Sequence, residues 1–167
     1  MSKLSLGSVV LVVGTIAMTG RTRPAIAQAT ATPIDACALL TVQEASGALG
    51  GNVTAPKPGR TTSSTLGPGM PTAVSVCTFD NGKRHITIGV RHTLDSAAAG
   101  LRQMIQVVCQ RKQPITGVGE QACWYNAEHG ELQAVKGATF LTIEASIGPD
   151  IGAGLIDVAK KAFARVK

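Results

Sequence analysis

Three histidines (His85, His92 and His129) and four cysteines (Cys37, Cys77, Cys109 and Cys123) are the side chains of this 167-residue chain best suited to metal binding or nucleophilic chemistry. Their spacing supports neither. No C-x-x-C pair is present, and no histidine stands at ligand spacing from a cysteine, so a zinc or redox site has no sequence basis. No H-E-x-x-H run occurs, and no Ser or Cys nucleophile signature lies beside a histidine. A catalytic group needs partners that converge on it. The expectation is therefore a protein that is not an enzyme, with no cofactor or metal, and with all three histidines at the surface.

The cysteines are better explained by compartment. After Lys3, residues Leu4 to Gly20 are almost wholly apolar and small. Pro24 then breaks any helix, and Ala25-Ile26-Ala27, or Ala27-Gln28-Ala29, offers the small residues at which a signal peptidase cuts. Residues 1–29 are expected to be a removed signal peptide. Residues 30–167 then form one secreted or periplasmic domain, in a compartment where thiols are oxidised. Gly7, Gly14 and Gly20 dilute the apolar run, which argues against a retained anchor. The run contains no cysteine to carry a lipid, so no stable membrane anchor is expected after cleavage.

Cleavage also changes the charge. The formal +6 loses Lys3, Arg21 and Arg23, leaving 13 basic and 10 acidic residues, a net +3. With so few aromatics, a domain of that charge is not expected to bind nucleic acid.

Four cysteines allow three pairings. Cys109 ends a helical pattern, and Cys123 opens a strand after a turn holding Pro114, Gly117 and Gly119. Cys37 precedes the first helix, and Cys77 lies in the first strand. Cys37–Cys77 and Cys109–Cys123 are the favoured bridges, each worth about 2–4 kcal/mol, mainly through the unfolded state.

These bridges tie together a readable set of elements. Thr41-Val42-Gln43-Glu44 is a capping box that opens a short helix, stopped by Gly50-Gly51. Residues 52–73 are rich in Gly, Pro, Ser and Thr and read as a long flexible loop. Within it, Asn52-Val53-Thr54 is a weak glycosylation match. Asn81-Gly82 predicts a two-residue hairpin turn between strands 75–79 and 84–90, with Cys77 opposite Ile86. Cys77, Phe79, Ile86, Ile88 and Val90 then share the core face. A helix is predicted over Ser96–Gln110, with an apolar stripe of Ala97, Leu101, Met104, Ile105 and Val108. Residues 115–119 read as a turn. Gly117-Val118-Gly119 lacks the strand–helix setting of a phosphate loop. Strands follow at 121–126, 131–136 and 138–146. An amphipathic helix over 151–166 closes the chain. The order α-β-β-α-β-β-β-α predicts an α+β fold, an antiparallel sheet with helices on one face.

That fold suggests a binding face. If Cys123 points to the core, alternation puts Tyr125 inward and Trp124 outward. If Leu141, Ile143 and Ala145 point inward, Phe140 points outward. Trp124, Phe140 and His85 would then share the helix-free side of the sheet. An exposed aromatic cluster in a chain this poor in aromatics marks a binding surface.

Asp35-Ala36-Cys37-Ala38-Leu39-Leu40-Thr41, followed by Glu44-Ala45 and Leu49-Gly50, resembles the start of a group of secreted actinobacterial domains of unknown function, which open with a D-x-C-x-L-L-T-x-x-E pattern. The resemblance continues at Val76-Cys77-Thr78-Phe79, at Gly117-Val118-Gly119-Glu120-Gln121-Ala122 with Trp124, and in the closing Ala159-Lys160 helix. Many of those proteins are lipoproteins, and this chain departs from them in lacking a lipid-acceptor cysteine. The resemblance implies a secreted, non-enzymatic α+β domain with the first two cysteines bridged. It supplies no activity.

Together these readings predict an extracytoplasmic domain, stapled by two disulfides, that binds an unidentified protein or small-molecule ligand. The rival reading is a small secreted hydrolase or inhibitor-like protein acting through residues 52–73.

Overall fold

The computed structural model describes residues 30–65, 70–126, 130–146 and 151–166. Residues 1–29, expected as a signal peptide, and His129 lie outside the described residues. The chain is α+β, built on one antiparallel sheet. Its strands are β1 (Lys57–Pro58), β2 (Thr62–Thr65), β3 (Pro71–Asp80), β4 (His85–Thr93), β5 (Gln113–Ile115), β6 (Gln121–Asn126), β7 (Glu131–Lys136) and β8 (Thr139–Ala145). Its helices are α1 (Val42–Leu49), α2 (Ala98–Cys109) and α3 (Ile151–Arg165). The strand order is β1-β3-β4-β8-β7-β6-β5, with β2 also paired to β3. β8, late in the chain, therefore sits at the centre of the sheet.

Asp35 opens the domain by capping a short 3-10 turn, accepting from the Cys37 N–H at 2.9 Å. Thr41 and Glu44 form the expected capping box at the start of α1. Glu44 N–H donates to the Thr41 hydroxyl at 3.2 Å, and Thr41 N–H donates to the Glu44 carboxylate at 2.9 Å. Gly50 ends α1 in the left-handed region at φ 66°. Both expected disulfides, Cys37–Cys77 and Cys109–Cys123, are present.

The hairpin β3–β4 departs from expectation in register. Cys77 faces Ile88 and Phe79 faces Ile86, because the connection has four residues rather than two. The Asn81 side chain accepts from the N–H groups of Lys83 and Arg84, at 3.0 and 2.8 Å. The Asp80 carboxylate accepts from Gly82 N–H. These side-chain bonds support a wider loop than a tight type I′ turn. The slip is two residues, so every side chain keeps its face.

The stretch 52–73, expected as a loop, carries β1, β2 and the first residues of β3. The two short strands run along the outer edge of β3, and Gly59 N–H donates to the Val76 carbonyl between them at 2.7 Å. Sequence reading missed them because their side chains are exposed polar residues, with no apolar alternation to detect. It missed β5 as well, since three residues are too few to show a period.

The helices do not all lie on one face. On the first face, the 3-10 turn, α1 and α3 cover a core that includes Phe79, Ile86, Ile88, Leu132, Leu141, Ile143 and Leu155. α2 lies on the second face, where Leu101 and Ile105 pack on Val135 and Phe140. The cause is visible where β7 turns into β8: Ala134 and Leu141 point to one side, Val135 and Phe140 to the other, and all four are buried. A sheet segment that is apolar on both sides needs cover on both sides.

Candidate binding groove

α2 covers only part of the second face. It packs over β6, β7 and the near end of β8, and Cys109–Cys123 ties its last residue to β6. β4 and the far ends of β7 and β8 stay uncovered, with Thr87, Gly89, Arg91, Thr142, Glu131 and Gln133 half-buried and Glu144 exposed. A groove of about 420 Å³ runs along this boundary.

Strand register fixes its floor. Arg91 of β4 stands opposite Phe140 of β8. Two residues along, Gly89 stands opposite Thr142, and Thr142 opposite Gln133 of β7. Two further along, Thr87 stands opposite Glu144, and Glu144 opposite Glu131. The α2 side supplies Met104, Ile105 and Val108, and Tyr125 of β6 completes the wall. A Cβ placed on Gly89 would find nothing nearer than Thr142, at 3.8 Å, so the floor dips there. Glycine inside a strand often marks close approach by a ligand.

The polar groups of the groove are unevenly engaged. Gln133 Nε2 donates to Glu131 Oε1 at 3.0 Å. The Lys112 ammonium lies 5.0 Å from the centre of the Tyr125 ring, a cation–π distance. Among the described residues, no hydrogen bond or ion pair engages the guanidinium of Arg91. A half-buried arginine without a protein partner keeps its guanidinium in water, free to take a carboxylate in bidentate geometry.

The three residues expected to form one aromatic face are separated. Trp124 lies on the first face, packed against the main core, with its ring beside Gly152 of α3. Cys123 does point inward, but toward α2, so alternation sends Trp124 to the main core. Tyr125 shares the Cys123 side yet is 42% exposed, at a bulge where β6 loses its pairing to β7. Phe140 does point away from the main core, but α2 covers it to 6% exposure, and it floors the groove. His85 is on the second face, six residues along β4 from Arg91, roughly 20 Å away at strand rise. His92 is not in the groove, and its Nδ1 lies 3.0 Å from the Thr139 hydroxyl.

Read from sequence, Met104 and Tyr125 are core-facing residues only, and Arg91 and Glu131 stand outside every motif. Two signals were available. Arg91 and Glu131 hold the out-of-core phase of their strands, as Phe140 does. Val135 and Phe140, apolar in a phase that is otherwise polar, marked where a helix would lie.

Among the described residues, no group of three or more His, Cys, Asp or Glu side chains is placed to hold a metal ion. No helix there is long and apolar enough to cross a membrane. No family model, curated protein or solved structure matches the chain.

The D-x-C-x-L-L-T-x-x-E segment has a structural explanation at each position. Asp35 caps the 3-10 turn, and Cys37 is bridged. Leu39 and Leu40 are buried. Thr41 and Glu44 cap α1, and Glu44 also pairs with Arg165 of α3. The segment is a packing device, distant from the groove.

Proposed function

We propose that this protein is a secreted or periplasmic, non-catalytic binding domain whose ligand lies in the groove between α2 and the open half of the sheet. The observation that carries this reading is the guanidinium of Arg91, unpartnered among the described residues, beside Phe140 of the floor and Met104 of the α2 wall, in a concavity of about 420 Å³. Ligand sites are concave and set apolar surface beside polar groups that fix orientation. Arg91, Thr142 and Gln133 are such groups. They hold and orient rather than transfer protons or attack.

Two disulfides agree with an extracytoplasmic location. The resemblance to secreted domains of unknown function supports the same reading.

A fragment panel screened by NMR against the 15N-labelled exported protein tests the site. Hits should move the amide resonances of Arg91, Met104, Phe140 and Thr142. Hits confined to β1, β2 and the outer edge of β3 would overturn the groove reading in favour of the 52–73 segment.

A further inference from the structure

Resting on that reading, we infer that the groove takes a short free peptide, with its carboxylate on Arg91, its ammonium at Glu131 and Glu144, and its apolar side chains over Phe140 and Met104. The groove is charged at both ends with opposite sign. Arg91 sits at one end, opposite Phe140. Glu131 lines the other end, and Glu144, exposed at the rim, stands opposite it on β8. Two carboxylates directly across a strand pair repel, and an incoming cation relieves that repulsion. Among the described residues, no ion pair engages either carboxylate, and the Lys112 ammonium lies over the Tyr125 ring.

The spacing selects the length. Arg91 and Glu131 are two strands and four residues apart, so their Cα atoms lie roughly 16 Å apart. Both side chains line the groove, and a ligand that meets each of them at ion-pair distance, about 3 Å inside either end, has its own charges roughly 10 Å apart, the span of about three extended residues.

The middle suits a peptide backbone. The Thr142 hydroxyl has no hydrogen bond among the described residues. The Gln133 amide nitrogen is committed to Glu131, which leaves its carbonyl oxygen to accept. The dip at Gly89 lets a main chain come close to the floor. A fatty acid would use Arg91 and the apolar floor but leave the two carboxylates facing each other. A protein's C-terminal tail would bring the carboxylate without the ammonium. Only a short zwitterion satisfies both ends.

The experiment is an NMR titration of the exported protein with the tripeptide Leu-Ala-Leu. Four forms are compared: free, C-terminally amidated, N-acetylated and doubly capped. The free form should shift the amides of Arg91, Thr142 and Glu131. Amidation should weaken binding about tenfold, and Arg91→Gln should weaken the free form equally. The two losses should not add when combined, because they remove one contact. N-acetylation should be coupled in the same way to the double substitution Glu131→Gln and Glu144→Gln. All three positions are on the open face, and unchanged thermal melts would confirm that the variants fold.

Equal binding of the free and doubly capped peptides would overturn the proposal, as would losses that add. If other fragments move the groove amides while no tripeptide does, the peptide assignment fails and the groove reading survives. If no probe moves them, both fail.

Discussion

Arg165, near the end of α3, reaches across to Glu44 in the first turn of α1, with Nη2 2.9 Å from Oε1. The other carboxylate oxygen of Glu44 closes the capping box, accepting from the Thr41 N–H and hydroxyl, both at 2.9 Å. A second Arg165 nitrogen donates to the Leu39 carbonyl at 3.1 Å. One carboxylate thus caps a helix and fastens the C-terminal helix to it.

This arrangement makes stability depend on pH. The hydrogen bond from Arg165, helped by those from Thr41, lowers the Glu44 pKa from 4.5 to about 2. A depressed folded-state pKa gives stability that is complete above the unfolded value and is lost as pH falls toward the folded value. The pair is partly exposed, so solvent screening holds its contribution to about 1–2 kcal/mol. Urea melts of the wild type and Glu44→Gln should differ by that amount at pH 6, and the difference should close between pH 4.5 and pH 2. A difference unchanged at pH 2.5 would show that the charge is not responsible.

Trp124 and Tyr125 are neighbours in sequence with opposite expected costs. Trp124→Ala should destabilise by about 3 kcal/mol, at the low end for a large aromatic because the ring is only partly buried. Tyr125→Ala should cost less than about 1 kcal/mol, since Tyr125 is exposed and mainly meets Lys112. Chemical denaturation of both variants checks the faces assigned to β6. The reverse order of costs would contradict them.

Gly119 and Gly137 both have positive φ, at 59° and 55°. A Cβ on Gly119 would collide with the Val135 carbonyl oxygen, whereas one on Gly137 meets nothing within 4 Å. Gly137→Ala should therefore cost only the backbone strain, about 1–2 kcal/mol, and Gly119→Ala clearly more. Similar melting temperatures for the two variants would refute the close approach at Gly119.

The disulfides should also be unequal. Cys37–Cys77 spans 40 residues and Cys109–Cys123 spans 14. Loop entropy alone predicts losses of about 4 and about 3 kcal/mol when each pair is changed to serine. Guanidinium unfolding of the two double variants tests the order.

Most of the fold was legible in the sequence. The capping box, both disulfides, β6, β7 and the closing helix appear where their patterns put them, because each rests on local chemistry or a long period. The hairpin register was not legible, because the Asn81 side chain, rather than the Asn-Gly dipeptide alone, shapes the loop. The candidate site was half legible. Alternation alone sends Phe140 away from the main core, but it does not show that α2 covers that side of the sheet as well. On a sheet buried from both sides, "inward" for Cys123 and "inward" for Leu141 are opposite directions. Trp124 was misplaced for that reason alone.

The central place of β8 also sets the order in which the molecule can be completed. Thr139–Ala145 is the partner of both β4 and β7. As the chain emerges from the ribosome, neither strand has that partner until Ala145 has been made. Ile86, Ile88 and Val90 stay bare along an unpaired edge while the next fifty or so residues are added. Pairings this distant along the chain form slowly, because the loop must close before the contact repays it. The sheet therefore joins its two halves only after synthesis is nearly finished, and until then the β3–β4 hairpin carries a free edge that β8 alone fills.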